Sequence, residues 1–247
     1  MLLPPLMMLL LPVLVVPATK VSLTAVVAIA VWGLVGMTPL RPPFNGGPGV
    51  QYIRGVDIAM TGTANPVTAP QWIDGFGAFP EQVESGLAAG RPTLLYGDPS
   101  NMLRADARPD IGSRLVVHAG WLGVTGAVVP LDQTITDEWS LAYPLGAHFE
   151  MTRRAIFPGH EKPVPWVWFL ADYADPAGAA PPGADPAAVA AARRALGCGA
   201  LRELQESVRE PMTFSRFWKN LVGSVSRTRL RVPTDPHVAE ARFCPTP

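Results

Sequence analysis

The stretch MLLPPLMMLLLPVLVVPATKVSLTAVVAIAVWGLVGMTPL, Met1 to Leu40, decides the class of fold to expect, because Lys20 is its one ionisable side chain. Each run on either side of Lys20 approaches the roughly 20 residues a helix rising about 1.5 Å per residue needs to cross about 30 Å of hydrocarbon. The stretch therefore predicts a hairpin of two transmembrane helices over 1–40. Pro4, Pro5, Pro12 and Pro17 in the first run are tolerated in a bilayer where neighbouring helices re-satisfy the freed carbonyls. A secretory signal peptide is the alternative, but it wants a basic leader, a shorter apolar core and a small-residue cleavage site. Basic residues favour the cytoplasmic side, so Lys20 between the spans places both ends of the hairpin outside.

Working outward, Arg41 to Gly49 (RPPFNGGPG) forms neither helix nor central strand and reads as a linker over 41–49. From 50 onward the chain reads as one extracytoplasmic domain. Val50 to Ile53, Thr93 to Tyr96 and Leu115 to His118 have the length and composition of strands. Ala127-Val128-Val129 reads as a further strand next to Leu115–His118, and Trp166 and Trp168 stand at strand spacing. Phe79 to Ala89, opened by Pro80 and closed before Gly90, predicts a helix.

The organisation changes after 175–186, an Ala/Pro/Gly-rich flexible loop. Asp185-Pro186 is an N-cap followed by a first-turn proline, and it opens a helix through Leu196. Leu201, Leu204 and Val208 repeat at helical spacing. Thr213 caps a third helix with Phe214, Phe217, Trp218, Leu221, Val222 and Val225 on one apolar face. Asp235-Pro236 repeats the cap before a last helix near Cys244. The expected class is thus membrane-anchored α+β: two transmembrane helices, then one mixed α/β extracytoplasmic domain with a C-terminal helical cluster.

Balanced charge, 20 basic against 20 acidic residues, excludes a global attraction to nucleic acid. The two cysteines, Cys198 and Cys244, suit one structural bridge in an oxidising compartment, with two buried thiols as the alternative. No phosphate loop, nucleophile elbow, dinucleotide fingerprint or zinc motif is present, so the residues themselves assign no catalytic group, metal or cofactor. The polar candidates are Asp132, Asp137 and Glu138 near strand ends, and His160, Glu161 and Lys162 within Pro158–Pro163. A carboxylate with an imidazole suits acid/base work; charged side chains between prolines also make an ordinary hydrogen-bonded loop.

The block LDQTITDEWSLAYPLGAH at 131–148, FPGHEK at 157–162 with a tryptophan shortly after, Asn65-Pro66-Val67-Thr68, and RLRVP at 229–233 with a late cysteine resemble the C-terminal extracytoplasmic domain of actinobacterial GT-C glycosyltransferases. The resemblance is to the terminal beta-arabinofuranosyltransferases of cell-wall arabinan synthesis, and it covers nearly the whole chain. It implies transfer of arabinofuranose from a polyprenyl-phosphate sugar donor to a cell-envelope glycan, in the plasma membrane with the C-terminal domain on the extracytoplasmic side. The family often has arginine where this chain has His148 and Phe157. Its many-helix core and the acidic catalytic residue of its first extracytoplasmic loop have no counterpart here. The expected role is acceptor positioning, with Asp137, His160, Glu161 and Lys162 near the sugar and a missing transferase core as partner. The alternative is a non-enzymatic, membrane-tethered glycan-binding or interaction module.

Overall fold

The computed structural model describes residues 20–37, 58–63, 68–151 and 162–244. The chain divides into two compact units, Met1–Tyr52 and Ile53–Pro247. In the first, Lys20–Met37 (α1) is one helix, and the Thr24 hydroxyl donates to the Lys20 carbonyl at 2.8 Å.

Among the described residues no helix is long and apolar enough to cross a membrane, which corrects the membrane-anchored class and its two-span hairpin. The physical reason is length and charge. The 18 residues of α1 rise only about 27 Å at about 1.5 Å each, short of about 30 Å of hydrocarbon, and the first of them is the charged Lys20. The run before Lys20, the linker at 41–49 and the strand expected at Val50–Ile53 lie outside the described residues.

The second unit is built around a four-stranded sheet. Thr93–Tyr96 (β1), Leu103–Asp106 (β2), Leu115–His118 (β3) and Thr134–Thr136 (β4) run in the order β2-β1-β3-β4. β2 pairs antiparallel with β1, whereas β1, β3 and β4 are mutually parallel, with Thr93 opposite Leu115 and Val116 opposite Thr134. Every residue of β1 and β3 is buried, the pattern of parallel strands covered on both faces.

Alternation along the strands sorts the apolar side chains into two cores. Leu95, Leu115 and Val117 pack with Phe76, at the C-cap of Ala69–Gly75 (α2), and with Phe79 and Val83 of Phe79–Leu87 (α3). Gly86 of α3 permits this close approach, since a Cβ there would lie 2.8 Å from Leu115 Cδ1. Leu94, Tyr96 and Val116 face the opposite way, into a larger core with Trp168, Phe169, Val189, Leu201 and Ala239.

Leu122–Val128 (α4) connects β3 to β4, so Ala127 and Val128 are helical where a strand was expected. The physical reason is the crossover: parallel neighbours cannot be joined by a hairpin and need an intervening element. Trp166–Tyr173 (α5) is likewise a helix. It starts after Pro165 and buries Trp168, Phe169, Leu170, Ala171 and Asp172 in succession, a run wider than one face of a strand.

The helical cluster follows. In Pro186–Leu196 (α6) the Asp185 carboxylate accepts from Ala187 N at 3.0 Å. Gly199–Arg209 (α7) precedes Phe214–Arg229 (α8), where the Thr213 hydroxyl accepts from Arg216 N at 3.1 Å. In Pro236–Phe243 (α9) Asp235 accepts from His237 N at 2.8 Å. A Cys198–Cys244 disulfide ties the α6–α7 junction to the end of α9.

Candidate functional site: an aromatic groove at the carboxyl ends of the parallel strands

In open sheets with parallel strands, ligand sites lie in the crevice beyond the strands' carboxyl ends. Here that edge receives the residues after Tyr96, His118 and Thr136. Ala119 N donates to Thr136 O at 3.1 Å, so the segments leaving β3 and β4 run side by side. Immediately beyond this pair they present Gly120-Trp121 and Asp137-Glu138.

The first segment builds an aromatic wall. Trp121, 37% exposed, lies with its ring centroid 5.3 Å from Trp72 of α2 and 6.0 Å, edge-on, from the buried Phe76. A groove of about 460 Å³ opens here, lined by Trp72, Gly120, Trp121, Leu122, Val124 and Ala127. The second segment brings a carboxylate to its border. A Cβ on Gly120 would collide with the Glu138 carboxylate and sit 2.9 Å from Trp139 Nε1. Glycine at 120 is therefore what lets the Glu138 side chain lie against this lining residue of the groove.

Asp137, fully buried, organises the turn that carries Glu138. Its carboxylate accepts from Trp139 N at 2.9 Å, from Leu141 N at 3.0 Å and from Ala142 N. Ser140 within this turn holds a left-handed backbone, φ 67°, and its hydroxyl donates to the Lys162 carbonyl. Val164 N donates to Glu138 O at 2.7 Å, and the Lys162 ammonium donates to Ala147 O at 2.7 Å. The structure thus brings Asp137 and Lys162 onto one loop assembly. His160 and Glu161 lie outside the described residues, as does Phe157.

Beneath this edge sits His118, 1% exposed, stacked on Phe169 at 4.6 Å. Its Nδ1 is 2.9 Å from Thr136 Oγ1, and its Nε2 has no partner among the described residues. Burial pushes the imidazole down to about 4, against the opposing pull of Asp137. It is neutral at ordinary pH. Burial likewise holds the His148 imidazole below its usual value, with the cations Lys162 and Arg231 acting in the same sense and the Leu230 backbone opposing.

An aromatic face beside a carboxylate suits a sugar: the apolar C–H face stacks on indole and the hydroxyls donate to carboxylate oxygen. Among the described residues no group of His, Cys, Asp and Glu is arranged to hold a metal ion. Sequence reasoning singled out Glu138 as an acid near a strand end, but not Trp72, Gly120 or Trp121. The one local signal was Gly-Trp directly after a buried strand; the pairing of residues 72 and 121 exists only in the tertiary fold.

The comparisons with known proteins agree with the sequence resemblance. A family model described as "AftB family C-terminal domain" matches residues 104–241. The chain is 29% identical over 194 residues, 71% of its length, to the "Terminal beta-(1->2)-arabinofuranosyltransferase" of Mycobacterium tuberculosis, covering 30% of that protein. It is 32% identical over 136 residues, 55% of its length, to the protein of the same name from Corynebacterium glutamicum, covering 20% of it. The chain thus spans less than a third of the length of these relatives. No solved structure matches it. With more than half of its residues inside the family match, the chain belongs to the AftB family through that family's C-terminal domain.

Proposed function

We propose that this chain positions a cell-envelope glycan acceptor for an arabinofuranosyltransferase and does not itself carry the catalytic group. The observation that supports this most directly is the Trp72–Trp121 groove bordered by Glu138, which has the chemistry of a saccharide platform. The relatives' name supplies the group transferred, arabinofuranose; in this reading the acceptor is an arabinofuranosyl chain end of the envelope glycan. The donor in this reading is a polyprenyl-phosphate sugar held by the catalytic part that the relatives' extra length contains. That part is the partner. The Cys198–Cys244 disulfide supports work outside the cytoplasm, where such bonds persist.

In this reading Asp137 shapes the turn that presents Glu138. Lys162 contacts the acceptor from the adjoining loop, and its sequence neighbours His160 and Glu161, outside the described residues, are assigned the same role in this reading. The test is titration of the full chain with a short arabinofuranosyl oligosaccharide, followed by tryptophan fluorescence and calorimetry. Trp121→Ala is expected to weaken binding about tenfold, the scale of a central aromatic contact, with Glu138→Gln and Lys162→Ala weakening it less. Unchanged affinity in Trp121→Ala and Glu138→Gln sinks the groove as the acceptor site.

A further inference from the structure

The amphipathic helix α8 is mounted the wrong way round for a soluble protein. A surface helix ordinarily turns its apolar stripe to the core and its polar side to water. Here the polar side is the docked one. Asn220 Nδ2 donates to Ser207 O at 2.9 Å, Arg227 pairs with Glu203 at 3.4 Å, and the buried Arg216 pairs with Glu203 at 3.5 Å, with Glu206 at 3.6 Å and with Glu210. Arg216 is the one residue of α8 that is buried.

The apolar stripe is exposed, and only Trp218 and Val222 at its edge reach the cleft beside α7. Phe214 is 79% exposed, Val222 77% and Val225 60%, and Phe217, Trp218 and Leu221 are each about half exposed. They fall at spacings of three and four residues and form one continuous face. A cleft of about 560 Å³ between α7 and α8, lined in part by Trp218, Val222 and Leu230, extends that apolar surface.

Charge indicates what covers it. Residues 212–231 carry Arg216, Lys219, Arg227, Arg229 and Arg231 and no acidic residue, in a chain whose net charge is zero. The α7 glutamates neutralise Arg216 and Arg227. Lys219, Arg229 and Arg231 are all exposed and have no ion pair among the described residues; Arg231 is held only by backbone carbonyls, Thr228 O at 2.9 Å and Leu230 O at 2.7 Å. Phenylalanine, tryptophan and leucine on one face with unneutralised cations beside it is the composition of a helix lying in the plane of a lipid interface.

We propose that the outward face of α8, with Lys219, Arg229 and Arg231 beside it, docks on the surface of an anionic lipid bilayer. The helix lies in the headgroup region and does not span. This inference is independent of the glycan reading.

The test places a nitroxide on Val222→Cys in the full disulfide-bonded chain, with the same label on Ser100→Cys as a control on the sheet's loop. Its immersion is read by collision with oxygen against a water-soluble nickel chelate. With phosphatidylglycerol vesicles the label at 222 is expected to become oxygen-accessible and chelate-shielded, while the label at 100 stays in water. The triple change Lys219→Gln, Arg229→Gln, Arg231→Gln should lower partitioning of this helix roughly hundredfold, at about 1 kcal/mol per basic residue near an anionic surface. Because the readout is local to α8, binding of any other segment to the vesicles does not imitate it. A label at 222 that stays in water, or that immerses equally in phosphatidylcholine, overturns the proposal. So does concentration-dependent spin–spin broadening without lipid, which would mean a second copy covers the face.

Discussion

Acidification should destabilise this domain through His118, in the same sense as the other lowered imidazole, His148. The imidazole titrates near 6.5 when unfolded and is pushed down to about 4 by burial in the fold. Between these values the unfolded chain binds a proton that the folded chain refuses, so stability falls as pH drops from about 6.5 toward 4. Single-site linkage gives a loss of about 2 kcal/mol at pH 5 relative to pH 8, rising to about 3 kcal/mol below pH 4. The groups facing the ring are the Thr136 hydroxyl, the Phe169 ring and the Asp137 carboxylate, and only the last opposes the shift. The assay is urea denaturation at pH 8 and pH 5 for the wild type and for His118→Gln, which keeps a polar partner for Thr136 and does not titrate. Whatever the variant's absolute stability, its pH 8-to-5 loss should be smaller than the wild type's by about 2 kcal/mol. Equal losses would refute the reasoning, since they would show that the ring is either hydrated or protonated without opening the fold.

Three other outcomes follow from particular contacts. Asp172, 3% exposed, takes the partly exposed Arg209 in two bonds of 2.7 and 2.6 Å and the buried Tyr143 hydroxyl at 2.8 Å; Asp172→Asn keeps an acceptor for Tyr143 but loses the charge that pairs with Arg209, and should cost about 1–2 kcal/mol of unfolding free energy in urea denaturation. Removing the Cys198–Cys244 bridge, whose ends are 46 residues apart, as Cys198→Ser/Cys244→Ser should cost roughly 4 kcal/mol in the chain-entropy picture, and the same loss should appear on adding reductant to the wild type. Gly120→Ala should drive the Glu138 carboxylate away from residue 120, costing about 1 kcal/mol of stability, the low end of overpacking, because a flexible side chain can yield; in the glycan titration it should reproduce the Glu138→Gln phenotype.

Where local chemistry alone determines structure, the sequence was readable. The caps at Asp185, Thr213 and Asp235 begin helices because each side chain accepts from backbone N–H groups two or three residues on, a contact that needs no distant partner. The strands Thr93–Tyr96 and Leu115–His118 were equally plain as short apolar runs. Misreadings arose where tertiary context chose. Ala127-Val128-Val129 has strand composition, yet the parallel pairing of β3 with β4 requires a crossover, and the residues of strand identity moved to Thr134–Thr136. Trp166 and Trp168 matched a period of two only because their helix is buried around most of its circumference, which erases the usual periodicity.

The candidate site and the α8 face were hidden for a related reason. Period and composition identify an apolar face but do not say which way it points. In α8 the decision belongs to α7, where Glu203 and Glu206, with Glu210 at the C-cap, recur at helical spacing and gather Arg216 and Arg227, so the charged side of α8 becomes its docking side. Had the apolar side docked instead, the largely exposed Phe214, Val222 and Val225 would each have gained about 1.5–3 kcal/mol from burial, and the half-exposed Phe217, Trp218 and Leu221 about half as much. A helix that forgoes this in water has to recover it elsewhere, or it serves no stabilising purpose in remaining apolar. The groove obeys the same logic in reverse: Trp121 and Glu138 are ordinary residues in sequence, and only the parallel register that sends β3 and β4 out at one edge makes them neighbours.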